Sequence, residues 1–284
     1  MATQSTNKVT LEGKLVEISY REDTLANGNK YVAGKVMIQT AEDNIIPVDF
    51  FQNEKKKDGT DNSVYKGLMT FIKEARTIAK DGIEAADGVS VTTGQLGENS
   101  YYPVGAANLV RGFRIGSPFY RTKADVKGEN SFVVSGIVLD MPEEIKDNVP
   151  TGTLFIDLLV IGYNNRGEVV RFSVEDPAGV SYIKNSTSKG DEVKLAGSIL
   201  VRETREEKVE QTAFGGPIVE FITKTERKLL VTSATAAHSS TVPESELTTM
   251  LSEREARLNE AKAKQEQKAN SNKSASSPNR GFSL

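Results

Sequence analysis

Val9–Tyr20 reads VTLEGKLVEISY, Lys30–Thr40 reads KYVAGKVMIQT and Asn44–Phe51 reads NIIPVDFF. Apolar and polar residues alternate along these segments, the period of a strand that turns one face to a core. The pattern returns as FVVSGIVLD at Phe132–Asp140, TLFIDLLVIGY at Thr153–Tyr163 and EVVRFSV at Glu168–Val174. Gly13 matches Gly136, Gly28 matches Gly152, and Val48-Asp49-Phe50 matches Val170-Arg171-Phe172, at offsets of about 122 to 124 residues. Offsets that regular indicate one β-unit present twice. Turns at Asn27-Gly28, Pro150-Thr151-Gly152 and Asn165-Arg166-Gly167 join the strands.

Beyond Phe51 a polar loop, Gln52–Asn62, leads to Val64–Lys80, where Val64, Leu68, Phe71, Ile72, Ala75 and Ile78 recur at helical spacing. Asp81-Gly82 closes that helix, and strands follow at Gly88–Thr93 and Leu109–Ile115. The second unit keeps the order with a compressed helix at Gly179–Asn185. In it, Gly190–Gly197 parallels Asp87–Gly94, and a charged hairpin tip at Arg202–Lys208 leads into Pro217–Thr223 and Arg227–Val231. Three strands, a helix and two strands is the order of the OB-fold, a five-stranded Greek-key barrel. A glycine midway along each first strand suits the corner of a tightly curved sheet. SH3-like barrels lack the long helix, and immunoglobulin sandwiches need more strands and no helix.

The expected class is therefore mainly β: two tandem OB-fold-like five-stranded barrels, each with a helix between its third and fourth strands, then a C-terminal helix and a disordered tail. The expected boundaries are a polar lead at 1–8, barrels at 9–122 and 131–232, and a polar tail at 233–284 with a helix near 243–268. In that helix Leu247, Met250, Leu251 and Leu258 form a stripe too thin for a coiled coil, and Ser271–Leu284 is low in complexity.

The chain has 284 residues and no cysteine, which excludes disulfides and Cys-based zinc sites. No apolar leader follows Met1, and the longest apolar run, Leu154–Ile161, is broken by Asp157. The expectation is a soluble cytoplasmic protein without membrane attachment. Net charge is −3, so bulk attraction does not bring it to nucleic acid. Charge is uneven, however: Met1–Thr122 is neutral while Lys123–Thr232 carries an excess of four acids. The first unit is thus the better partner for phosphates.

Catalytic groupings are missing from the sequence. The one histidine, His238, lies in a Ser/Thr/Ala linker, there is no phosphate-binding Gly-x4-Gly-Lys loop, and no nucleophile–base pair can be assembled. Glu143-Glu144 and Glu206-Glu207 sit in charged turns, where solvation outweighs metal binding. The reading is no enzyme, no cofactor and no metal.

The informative segment is Tyr101–Lys123, YYPVGAANLVRGFRIGSPFYRTK. It offers Arg111, Arg114, Arg121 and Lys123 without an acidic residue, together with Tyr101, Tyr102, Phe113, Phe119 and Tyr120. Single-stranded nucleic acid presents repeated charges and flat unpaired bases, and cations interleaved with rings answer both. Some of these rings must instead be core, Phe113 and Phe119 first among them. A second group lies on the second and third strands, the usual ligand face of this barrel: Tyr31, Lys35 and Met37 alternate onto one side. Of Phe50 and Phe51 one must point outward, Phe51 being the candidate. Lys55, Lys56 and Lys57 form a loop suited to clamping phosphates or merely to solubility. In the second unit Tyr163, Arg166, Arg171, Phe172 and Tyr182 are the best matches, on an acidic background.

With duplicated OB-like units, this aromatic–basic segment and a polar tail, Val9–Val231 resembles the single-stranded DNA-binding proteins of bacteriophages, through its element order and the GKLVEI and SGIVLD strands. The resemblance implies a protein that coats exposed strands in DNA replication, recombination and repair, in the host cytoplasm, with replication or recombination proteins docking on the tail. Two features depart from the bacterial relatives: SNKSASSPNRGFSL is weakly basic rather than acidic, and tryptophan is absent. Two other readings stand beside it: a phage structural or adaptor protein that uses its barrels for protein contacts, and RNA binding by the same barrel.

Overall fold

The computed structural model describes residues 4–211 and 214–275. The first unit comprises β1 (Asn7–Thr24), β2 (Lys30–Ala41), β3 (Asn44–Asn53), α1 (Ser63–Glu74), α2 (Ile78–Asp81), β4 (Gly88–Glu98), β5 (Phe113–Gly116) and β6 (Arg121–Lys123). The second comprises β7 (Asn130–Asp140), β8 (Glu143–Lys146), β9 (Val149–Ile161), β10 (Gly167–Val174), α3 (Pro177–Ser186), β11 (Asp191–Glu210), β12 (Ile218–Ala234) and β13 (His238–Ser239). A helix, α4 (Glu244–Ala275), ends the described chain. No helix among these residues is long and apolar enough to cross a membrane.

Each unit closes into an OB barrel. In the first, β1 pairs β2, β2 pairs β3, β3 meets β5 in parallel at Asp49 and Gly116, β5 pairs β4, and β4 returns to β1. In the second, the same circuit runs β7, β9, β10, β12, β11 and back to β7, with the parallel step at Ser173 and Leu230. The glycines of the first strands sit where strands cross. A Cβ on Gly13 would lie 2.1 Å from the Gln39 carbonyl oxygen, and one on Gly136 would lie 2.7 Å from that of Leu159. Gly94 opposite Val9 and Gly197 opposite Phe132 complete the same corner in both barrels. Phe132 and Phe172, with ring centroids 5.3 Å apart, fill the second core, while Phe50, Val48 and Ile38 lie in the first.

Several elements depart from expectation. The helix read over 64–80 divides, because Thr77 starts a new turn: its hydroxyl accepts from Lys80 N and its own N–H donates to Asp81 Oδ2 at 2.8 Å. Of the Leu109–Ile115 segment only Phe113–Ile115 is strand, within β5. Ahead of it the chain loops back, pairing Tyr101 with Val110. Arg202–Lys208 is not a hairpin tip but lies inside β11, which pairs with β12 from Leu195–Ala234 out to Glu210–Ile218. Charge does not end a strand exposed on both faces. Helix α4 runs to Ala275, so 271–275 are helical, and the rest of the expected disordered tail, 276–284, lies outside the described residues.

The barrels are joined edge to edge. β1 pairs with β7 from Asn7–Val134 to Leu11–Asn130, making one continuous sheet. Asn44 on the β2–β3 turn donates to Ile199 O at 2.9 Å and accepts from Val201 N at 2.7 Å. Asn130 accepts from Ile199 N at 3.1 Å. α4 lays Leu247, Met250 and Leu251 over Ile137, Leu159, Ile161 and Val169 of the second barrel.

Candidate nucleic-acid interface

Strand alternation places the site. On β2, Val32, Val36 and Ile38 are buried while Tyr31, Ala33 and Lys35 face outward. On β3, Phe50 is buried and Phe51 is 50% exposed. Hairpin register brings three rungs together across β1, β2 and β3: Asp23–Tyr31–Asn53, Arg21–Ala33–Phe51 and Ser19–Lys35–Asp49. Directly opposed residues in antiparallel strands share a face. The small Ala33 leaves Phe51 open, and the Tyr31 and Phe51 rings stand 5.1 Å apart at a 32° tilt. The Tyr31 hydroxyl donates to Asp23 Oδ2 at 3.3 Å. Lys35 and Asp49 are 3.8 Å apart and solvated, so that contact is weak. Arg21 is exposed and makes no ion pair among the described residues.

This face opens into a cavity of about 960 Å³ bounded by Arg21, Lys35, Phe51, Gln95–Gly97 and Arg114 of the first barrel. Its far wall is the second barrel, through Val160, Gly162, Tyr163, Arg166 and Glu168. Glu168 accepts from Glu98 N at 2.9 Å and lies 3.1 Å from Arg166 and 3.8 Å from Arg114. Glu98 in turn holds Arg254 of α4, with Nε to Oε2 at 2.7 Å. The wall is thus fixed by hydrogen bonds between barrels rather than by a mobile loop.

Of the residues singled out in the sequence, Lys35, Phe51 and Arg114 of the first unit and Tyr163 and Arg166 of the second line this cavity, and Tyr31 stands beside Phe51. The segment Tyr101–Lys123 does not form one patch. Arg111 reaches the second barrel, 3.3 Å from Asp157, a buried carboxylate that Arg171 also grips at 2.7 and 2.8 Å. Tyr102 lies under Lys262 of α4, 4.9 Å from its ring centre. Tyr101 is 46% exposed on the same loop. Phe113 is core, with the Arg227 guanidinium 5.2 Å above its ring. Tyr120 stacks on Phe71 at 5.0 Å, and burial drives its phenol pKa far up. Lys123 is held by Glu12, whose carboxyl it pulls below the usual range together with the Lys127 N–H. Arg121 and Phe119 border a separate hollow of about 430 Å³ beside α1.

The lysine loop is divided as well. Lys55 and Lys66 both bind Asp61, holding its pKa at about 2. Lys56 and Lys57 remain exposed on the turn. Sequence reading missed Arg21, although counting back through the Asn27-Gly28 turn places it opposite Ala33. It also missed Arg227, for which no local signal exists: its site is made by the other barrel.

The second barrel's corresponding face is closed. An offset of about 122 residues maps Lys35 and Asp49 onto Asp157 and Arg171, the same cross-strand pair with charges exchanged. Tyr31 and Phe51 map onto Thr153 and Ser173, and the neighbouring Leu159, Ile161 and Val169 lie beneath α4.

Two OB barrels joined edge to edge, one face open and the other covered by α4, define the architecture. The chain belongs to the YorF family, whose model matches residues 5–273. No curated protein matches it in sequence. Among solved structures it is similar to the wild-type single-stranded DNA-binding protein of Thermus aquaticus, with a TM-score of 0.50 and 12% identity over 85% of this chain and 97% of that one. A deletion variant of the same protein gives 0.48 and 11%, over 85% and 98%. At this identity the likeness is one of fold.

Proposed function

We propose that the chain binds single-stranded DNA, largely without regard to base sequence, along the outer face of β1, β2 and β3. One observation carries the reading: the Arg21–Ala33–Phe51 rung, with Tyr31 on one side and Lys35 on the other, at the mouth of the cavity. Stackable rings and solvated cations on a rigid, sequence-blind surface are what unpaired strands require. The fold shared with the Thermus protein, which is named for this activity, supports the same conclusion. In this reading the protein carries no reaction of its own. It covers strands exposed in phage DNA replication, recombination and repair, in the host cytoplasm, and its tail meets replication or recombination proteins.

The test is an anisotropy titration of labelled oligo-dT, the matching duplex and oligo-U at several salt concentrations. Tight binding to oligo-dT alone, weakening as salt rises because the release of counterions into a saltier solution gains less free energy, supports the proposal. Equal affinity for the duplex removes it, and preference for oligo-U replaces DNA with RNA.

The adaptor reading is favoured by one feature. The β11–β12 ribbon projects beyond its barrel with Val209, Ile218, Val219 and Phe221 exposed. Its charges pair among themselves, as in Lys224–Glu206 at 2.6 Å, so it suits a protein partner better than a phosphate backbone.

A further inference from the structure

The two β2–β3-type turns are related by the duplication yet chemically opposite. In the first barrel the turn is Glu42-Asp43, and Asp43 is occupied by Arg202 of the second barrel at 2.6 Å. In the second barrel the turn is Tyr163-Asn164-Asn165-Arg166, and it stands in the wall of the first barrel's cavity. Asn164 and Asn165 both take left-handed backbone, at φ 57° and 56°, a conformation asparagine tolerates better than most residues. Gly162 N donates to Arg166 O at 2.9 Å and closes the turn. The result is a tyrosine ring 76% exposed on a backbone that is locally fixed. A ring of that size ordinarily gains from burial, and here the turn presents it to the cavity that Phe51 also lines. Beside it, Arg166 uses Nε on Glu168 at 3.1 Å, one of its five N–H donors.

We infer that the strand site is composite: a single-stranded nucleic acid leaving the Tyr31–Phe51 face stacks a further base on Tyr163 and sets a phosphate against Arg166. The inference rests on the strand-binding reading and extends it to the barrel whose own ligand face is capped. The second barrel contributes through its turn, not its sheet. Bridging of the barrels by β1–β7 pairing and by Glu168–Glu98 holds both halves of the site in register before a strand arrives.

The experiment titrates labelled oligo-dT of roughly 4 to 16 nucleotides, the site-size range of one OB barrel, against the intact wild-type chain and its F51A, Y163A and Y163F forms. Tyr163 is solvent-facing, so its replacement leaves folding intact, which circular dichroism verifies. The expected result is that Y163A weakens the longer oligomers by about fivefold to a hundredfold, the effect of losing one stacked base. Y163F, which keeps the ring, stays near wild type, and F51A weakens every length. Y163A curves that superimpose on wild type at all lengths, while F51A is impaired, overturn the composite site and leave the first-barrel reading standing. A wild-type chain that binds no oligomer at any length overturns both.

Discussion

Phe50 and Phe51 are neighbours with opposite duties: one is 4% exposed and the other 50%. Parity along β3 decides this, and it was readable because Val48 and Phe50 share one phase. Phe51→Ala removes a surface ring, so thermal stability changes by no more than about 0.5 kcal/mol. Affinity for oligo-dT falls by about 1 to 3 kcal/mol, measured by anisotropy. Arg171 behaves oppositely. It and Arg111 both hold Asp157, which is 1% exposed, so Arg171→Ala, which removes two charge-assisted hydrogen bonds and leaves the carboxylate to Arg111, costs about 2 kcal/mol in urea denaturation. Arg111 read in sequence as a strand contact because its neighbours are basic and aromatic. Its partner arrives from another barrel, about 46 residues away, and no local pattern announces it. Asp61 has a pH signature. Its folded pKa of about 2 lies below the ordinary 3.8, so the stabilisation it gives is complete above 3.8 and disappears as pH falls toward 2. Carboxyl NMR titration checks the value, and Lys55→Ala with Lys66→Ala returns it toward 3.8.

Among elements, the strands and their duplication were legible because alternation and corner glycines are written locally. The division between α1 and α2 was not, since one threonine–aspartate cap outweighed an apolar stripe that continues across it. The length of the β11–β12 ribbon was hidden by its charges, which mark a turn in most sequences but sit here on a strand pair with solvent on both faces. α4 shows how a thin stripe suffices when it has a sheet to lie on. Its Met250 is 4% exposed against Leu159 and Gly167. Met250→Ala therefore lowers stability by about 2 to 3 kcal/mol in chemical denaturation. Affinity for oligo-dT short enough to lie on the Tyr31–Phe51 face is retained, because that face belongs to the first barrel. Loss of affinity in step with stability would place α4 in the site itself.

For the whole molecule, edge pairing makes the barrels one cooperative object. The β1–β7 ladder, the Asn44 contacts and the Glu98–Arg254 pair all break if either barrel unfolds alone. Calorimetry should show a single transition whose van't Hoff and calorimetric enthalpies agree, and two resolved transitions would show that the seam is weaker than either core. Because β1 and β7 belong to one polypeptide, the seam is intramolecular and its effective concentration is set by the short Thr122–Ser131 connection. Dilution therefore does not take the barrels apart. A protein assembled from separate one-barrel subunits loses its partner as its copy number drops; this chain keeps both halves of its groove even as a solitary molecule.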